Sequence, residues 1–183
     1  MQPRTRDSRL EGVTPADELA FTQFVRDRGD DLQRYTRWLI PDAAESEDAL
    51  QVALLRLARR WSDAISSPDA YVRVILRNLA TDRARRRHLV PVPTLDKRQL
   101  AEETPDHADA LAAQSELDEI LAILPPRQRV TVVLRVLEGL SEAETAVALD
   151  CSPGTVKSNL ARGLQRAREA MVARSVSPEG TSI

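Results

Sequence analysis

The residues best suited to act on another molecule are cations gathered on one short stretch. From Lys157 to Arg168 the sequence places Lys157, Arg162, Arg166 and Arg168 with no acid between them, in a chain whose formal net charge is −2. Positive charge concentrated this way suits a polyanion, because each neutralised phosphate releases counterions. At helical spacing Thr155, Ser158, Arg162 and Arg166 fall on or near one side, and Val156, Leu160, Leu164 and Met171 on or near another. A second basic cluster lies in DAYVRVILRNLATDRARRR, where Arg73, Arg77, Arg83, Arg85, Arg86 and Arg87 face only Asp82 after the first turn. Val72, Ile75, Leu76 and Leu79 supply its apolar face. It follows a loop, Ser62 to Pro68, that could present Trp61 and Tyr71, and a second basic helix in an acidic chain points toward nucleic acid. Either cluster taken alone also reads as a solvated charged face.

The elements that hold the first cluster are legible from their caps. Ser141 precedes an Ala-rich run, with Glu144 three residues later able to complete a capping box. That helix ends near Leu149-Asp150-Cys151. Ser152 then caps a second helix with Pro153 at its first position, where a missing N–H costs nothing. Two helices, a short turn and an exposed polar start to the second describe a helix-turn-helix.

Composition points to an all-α fold. Hydrophobic residues make up 42% of the 183, but aromatics only 3%, so the core must be aliphatic. The net charge supplies no global field, and any nucleic-acid binding must be local. One cysteine, Cys151, excludes an intrachain disulfide and suits a reducing cytosol. His88, His107 and Cys151 are too scattered for a structural zinc site. With no glycine-rich phosphate loop either, the chain is expected to be neither an enzyme nor a holder of a metal or cofactor. The first residues lack the apolar run of a secretory signal, and nothing approaches the ~20 apolar residues of a membrane span. A soluble, cytoplasmic protein without membrane insertion is expected.

Two small helical domains joined by an acidic flexible linker emerge in chain order. Residues 1–15 read as a flexible leader. In 16–88, Thr14 and Pro15 start a first helix, Gly29 interrupts it, and Asp31 to Ile40 form a second. Residues 42–61 follow as an amphipathic helix with acids at its start, arginines at its end, and Leu50, Leu54, Leu57 and Trp61 as the buried stripe. Residues 89–112 read as the linker, broken by Pro91, Pro93 and Pro105. Residues 113–172 hold the helix SELDEILAIL, a helix from Pro126 stopped by Gly139, and the helix-turn-helix. Residues 173–183 read as a disordered tail.

These residues resemble a family. ILPPRQRVTVVLRVLEGLSEAETAVALDCSPGTVKSNLARGLQRAR resembles the C-terminal, −35-recognising domain of bacterial extracytoplasmic-function (ECF) RNA polymerase sigma factors, within the sigma-70 family. SPDAYVRVILRNLATDRARRR resembles the −10-recognising part of their N-terminal domain. The likeness runs from about Phe21 to Met171 and points to the actinobacterial group often labelled SigE-family.

The resemblance implies sigma region 2 over 16–88 and region 4 over 113–172. Glu47, Asp48, Gln51 and Leu54 would dock on the clamp helices of the largest subunit of core RNA polymerase, and the C-terminal domain on the flap region. Trp61, Tyr71, Arg73, Arg77, Asn78, Arg85 and Arg86 would hold the opened −10 strand of promoter DNA. Thr155, Lys157, Ser158, Arg162 and Arg166 would meet the −35 element, and the linker would follow the RNA-exit path. Val52 stands where the family usually has a glutamate, and Asn159 where many members have an arginine. The two basic helices are surfaces that an anti-sigma factor could cover, though the sequence identifies none. The competing reading is a two-domain helix-turn-helix regulator that binds an operator without polymerase. A regulator would carry a ligand or phosphoacceptor domain with strands, whereas Phe21 to Arg87 reads as wholly helical.

Overall fold

Local capping decides where most of the helices begin. In a computed structural model, residues 14–61, 66–89 and 108–176 are described, and all their regular structure is helical. The leader, residues 62–65 of the loop after Trp61, the linker between 90 and 107, and the tail beyond Val176 lie outside the described residues.

The Thr14 hydroxyl accepts the Asp17 amide at 3.2 Å while Asp17 accepts the Thr14 amide at 2.9 Å, opening α1, Pro15–Leu39. Asp42 caps α2, Ala43–Ala58, by accepting the Glu45 amide at 2.9 Å. Ser67 accepts the Ala70 amide at 3.4 Å ahead of α3, Pro68–Leu89. Then come α4, Ala108–Ile123, and α5, Pro126–Val132, which passes into a π-helical turn over Val133–Leu137. The Ser141–Glu144 capping box is present and opens α6, Glu142–Leu149. Ser152 accepts the Thr155 amide at 3.2 Å and starts α7, Pro153–Val176.

Three features differ from the sequence reading. Gly29 does not interrupt α1, which runs through it as one helix. A mid-helix glycine costs only about 1 kcal/mol, and here Arg28 pairs with Asp31 on the same helix and with Asp69 on α3. The buried stripe of α2 is Ser46, Ala49, Ala53 and Leu57; Leu50, Leu54 and Trp61 are only partly buried. Small residues let α2 lie close against α1 and α3, so Leu50 and Leu54 sit at the margins while Leu57 stays buried. Helix α4 already begins at Ala108, inside the stretch read as linker, where ADALAA is rich in good helix formers.

Helices α1, α2 and α3 pack on one another, and α7 packs on α5 and α6. The two groups also meet. Helix α3 lies against α5 and α6, and α1 against α4 and α5. Leu32, Tyr35, Leu57 and Leu76 of the first group and Leu124, Val130, Val133 and Leu134 of the second belong to one continuous buried cluster. Where α7 crosses α5, Gly163 permits the approach: a Cβ there would stand 2.8 Å from Val132 Cγ2.

Candidate nucleic-acid interface

The turn between α6 and α7 aims the recognition helix. Asp150 takes a left-handed conformation at φ 46°, and the Cys151 amide reaches back to the Ala146 carbonyl at 3.0 Å. This closes α6 in the Schellman manner. Val156, fully buried, anchors the first turn of α7. Lys157, Ser158 and Arg162 are exposed on the same helix, and neither Lys157 nor Arg162 has an ion-pair partner among the described residues. Thr155 is half-buried, its hydroxyl 2.9 Å from that of Ser152, so it belongs partly to the cap. Arg166 is exposed but donates to Gln128 Oε1 at 2.9 Å, tying α7 to α5. Met171, assigned to the apolar side, is 47% exposed.

The α3 cluster is different, because most of its cations are already engaged. Arg73 donates to Asp69 at 2.8 Å and lies 4.5 Å above the centre of the Tyr35 ring. Asp69 also accepts from Arg28 at 2.9 Å. Burial raises the Asp69 carboxyl, yet the hydrogen bonds from Arg73 and Arg28 outweigh it and leave the group below its ordinary value of 3.8. Arg77 sits 3.3 Å from Glu138, Arg83 3.7 Å from Glu45, and Arg85 2.8 Å from Asp150. Arg86 and Asn78 are exposed. Arg77 and Asn78 line an open groove between α3 and α6, walled by Val74, Leu140 and Val147.

Trp61 and Tyr71 are not free platforms in this arrangement. Trp61 is half-buried, edge-on to Phe21 at 5.3 Å and tilted against Phe24 at 5.6 Å. Tyr71 is half-buried with the Arg60 guanidinium 5.8 Å from its ring centre. On α2, Glu47, Asp48 and Gln51 point outward, while Leu54 packs partly into the core. Leu55 at 60% and Val52 at 37% exposure share the outward side. An exposed leucine beside acids was the signal the sequence reading missed, because Leu54 and Leu57 already satisfied the apolar period.

Arg129 was also missed, and its role is internal. Arg129 is 6% exposed, and its guanidinium donates to the carbonyls of Leu121 at 2.7 Å, Ala122 at 3.0 Å and Leu124 at 2.7 Å. In a continuing helix Leu121 and Ala122 would be served by the amides of residues 125 and 126, which are prolines and have none. Arg129 supplies what the prolines remove, so PPRQR works as a unit. The Cys151 thiol is pushed up, first by burial, so it stays protonated.

Helical throughout its described regular structure, with a capped helix-turn-helix and an exposed basic start to its second helix, the molecule has the makings of a DNA-reading protein. Comparison with known proteins gives the family. Residues 24–89 match Sigma-70 region 2, and residues 114–171 match Sigma-70, region 4. The chain is 42% identical over 162 residues to the RNA polymerase sigma-E factor of Streptomyces coelicolor, covering 86% of this chain and 89% of the relative. It is 33% identical over 169 residues to the ECF RNA polymerase sigma factor SigM of Mycobacterium tuberculosis, covering 89% and 83%. A solved structure titled "1.8 A structure of RsbN-BldN complex" aligns at 25% identity over 85% of this chain and 94% of that one, with a TM-score of 0.34. The chain belongs to the sigma-70 family of RNA polymerase sigma factors. No helix among the described residues is long and apolar enough to cross a membrane.

Proposed function

We propose that the chain directs core RNA polymerase to promoters through three separate surfaces. The outward side of α2, with Glu47, Asp48, Gln51 and the neighbouring Leu55, docks on the clamp helices of the largest subunit, and Leu54 supports that side from within. The first turns of α7 enter the major groove of the −35 element, where Lys157, Ser158 and Arg162 meet base edges and phosphates; Thr155 holds the turn and Arg166 reaches the backbone. Arg73, Arg77, Asn78, Arg85 and Arg86 of α3 hold the opened −10 strand, with Tyr71 and Trp61 at its edge. Region 2 spans 16–88 and region 4 spans 113–172, with the intervening linker following the RNA-exit path.

The observation that carries this reading is the contrast on α7: Lys157 and Arg162 are exposed with no ion-pair partner among the described residues, although the chain is net acidic and its α3 arginines are mostly engaged. Such cations at the start of a recognition helix have a partner to find. The test is run-off transcription with core polymerase, with and without the protein, followed by mapping of start sites. New start sites are expected with the wild type. Arg162→Ala should reduce use of promoters with an intact −35 element by roughly tenfold, the 1–3 kcal/mol worth of one good base contact, while leaving co-purification with polymerase unchanged. Loss of polymerase association would refute the role given to Arg162.

A further inference from the structure

Two arginines assigned to the −10 strand are held, in this arrangement, by carboxylates from the other half of the same chain. Arg77 Nη1 lies 3.3 Å from Glu138 Oε2, and the two side chains are only 17% and 14% exposed. Glu138 also accepts a hydrogen bond from the hydroxyl of Tyr35, a residue that is 2% exposed. Burial, with the Glu138 carboxylate adding to it, pushes the Tyr35 hydroxyl well above its ordinary value, so it remains a donor. Arg73 lies over the ring itself, 4.5 Å from its centre. Farther along α3, Arg85 Nη2 is 2.8 Å from Asp150 and 3.3 Å from the Leu149 carbonyl, in the turn of the helix-turn-helix. A third polar contact, Trp38 Nε1 to Asp118 at 2.7 Å, joins α1 to α4.

Glu138 owes its position to the π-helical turn. The Glu138 amide bonds the Val133 carbonyl at 3.0 Å, five residues back, and Gly139 leaves the turn at φ +70°. In a straight α-helix the same residue would be rotated by about 100°. Short π turns inside helices recur at functional positions. Here the turn delivers a carboxylate to the spot where Tyr35 and Arg77 converge.

We propose that Glu138 is an autoinhibitory latch: by occupying Arg77 as a phosphate would, and with Asp150 doing the same to Arg85, region 4 holds region 2 closed against single-stranded DNA. The latch rests on the assignment of Arg77 to the −10 strand. A buried ion pair is a good latch because its net contribution to stability is small while its geometry is specific. A polyanion that takes Arg77 removes the cation paired with a carboxylate that is only 14% exposed, so DNA binding and closure exclude each other. Closure and binding are then coupled with the reciprocity of linked equilibria.

The test uses the full chain and two readouts. Glu138→Gln keeps the shape and an acceptor for Tyr35 but removes the charge. Its affinity for a fluorescent single-stranded oligonucleotide is expected to rise roughly five- to tenfold, within the usual range of such couplings. Its radius of gyration by small-angle scattering is expected to rise as well. Asp150→Asn, at an 88% exposed side chain that should not affect folding, gives a smaller shift in the same direction. An unchanged radius together with unchanged or weaker DNA binding for both variants would overturn the latch. The Arg77 assignment is tested separately by adding Arg77→Gln to Glu138→Gln. If the double variant opens but binds DNA as tightly as Glu138→Gln, the latch stands as a conformational device and the strand contact fails.

Discussion

Removing Arg129 should cost more stability than any of the exposed arginines, although it touches neither the proposed DNA surface nor polymerase. The residue is 6% exposed, and its guanidinium donates to three backbone carbonyls at 2.7 to 3.0 Å. Arg129→Met keeps the apolar stem and deletes the donors. The Leu121 carbonyl keeps the Leu124 amide at 3.2 Å, but Ala122 cannot recruit one from Pro126, so at least one acceptor stays without a partner. An orphaned buried group costs about 1–3 kcal/mol, and each charge-assisted bond contributes about 1.5–3 net; since the three share one side chain, a total of about 3–5 kcal/mol is reasonable. With a urea m-value of about 2 kcal/mol per M, the unfolding midpoint should fall by about 2 M. Arg129→Lys should recover only part of this, because an ammonium cannot span three carbonyls with a fixed fork. Urea denaturation followed by circular dichroism at 222 nm measures the shift. A loss below about 1 kcal/mol for Arg129→Met, the size of an ordinary surface change, would refute the reasoning that the prolines and the arginine form one unit.

Gly163→Ala should destabilise despite the better helix propensity of alanine. Its Cβ would stand 2.8 Å from Val132 Cγ2, on a buried β-branched side chain with little room to turn, so overpacking of about 1–3 kcal/mol outweighs a gain of about 1; a raised melting temperature would count against it. Asp69 is held below its ordinary value in the folded chain, so the stability it contributes is present above about pH 4, the unfolded value, and is lost as pH falls through the folded one. Asp69→Asn should therefore flatten the acid limb of a melting-temperature profile below pH 4, and superimposable limbs would show that the Arg28 and Arg73 bonds contribute nothing. Leu55→Asp, at a 60% exposed side chain, should abolish co-purification with core polymerase while changing stability by less than about 0.5 kcal/mol. Intact assembly would exclude the outward side of α2 as the docking surface.

What could be read from the sequence was what depends on neighbours three or four positions away. Thr14 with Asp17, Ser141 with Glu144, and Ser152 with Pro153 announce helix starts because a cap is a local hydrogen bond, and all three are present. The helix-turn-helix followed from two of them. Gly29 misled because punctuation by glycine is a weak signal when ion pairs on the same helix and across to α3 hold the backbone. In α2 the leucine period pointed to Leu50 and Leu54, but tight helix contact chose Ala49 and Ala53, which no amphipathicity count favours. The π turn was hidden because Val130, Val133, Leu134 and Leu137 fit an ordinary helical period. Pairs such as Arg77 with Glu138, 61 positions apart, leave no local trace at all. The cations of α3 could be counted in the sequence, but only the fold says which are already taken.

The π turn also fixes how this protein can tolerate changes in length. A helix converts residues into angle, about 100° for each one, but the wide turn over Val133–Leu137 takes up one residue without that rotation and so leaves Glu138 facing Tyr35 and Arg77. Deleting a single valine there would shorten the chain by one residue and leave an ordinary helix that still reaches Gly139. Its last carboxylate would keep its bearing, because the glutamate amide would then lie four residues after Val133 and bond the same carbonyl. At this place in the molecule the loss of one residue is absorbed, whereas a further inserted residue that the helix took up as ordinary turn would swing the carboxylate by about 100° away from Tyr35 and Arg77.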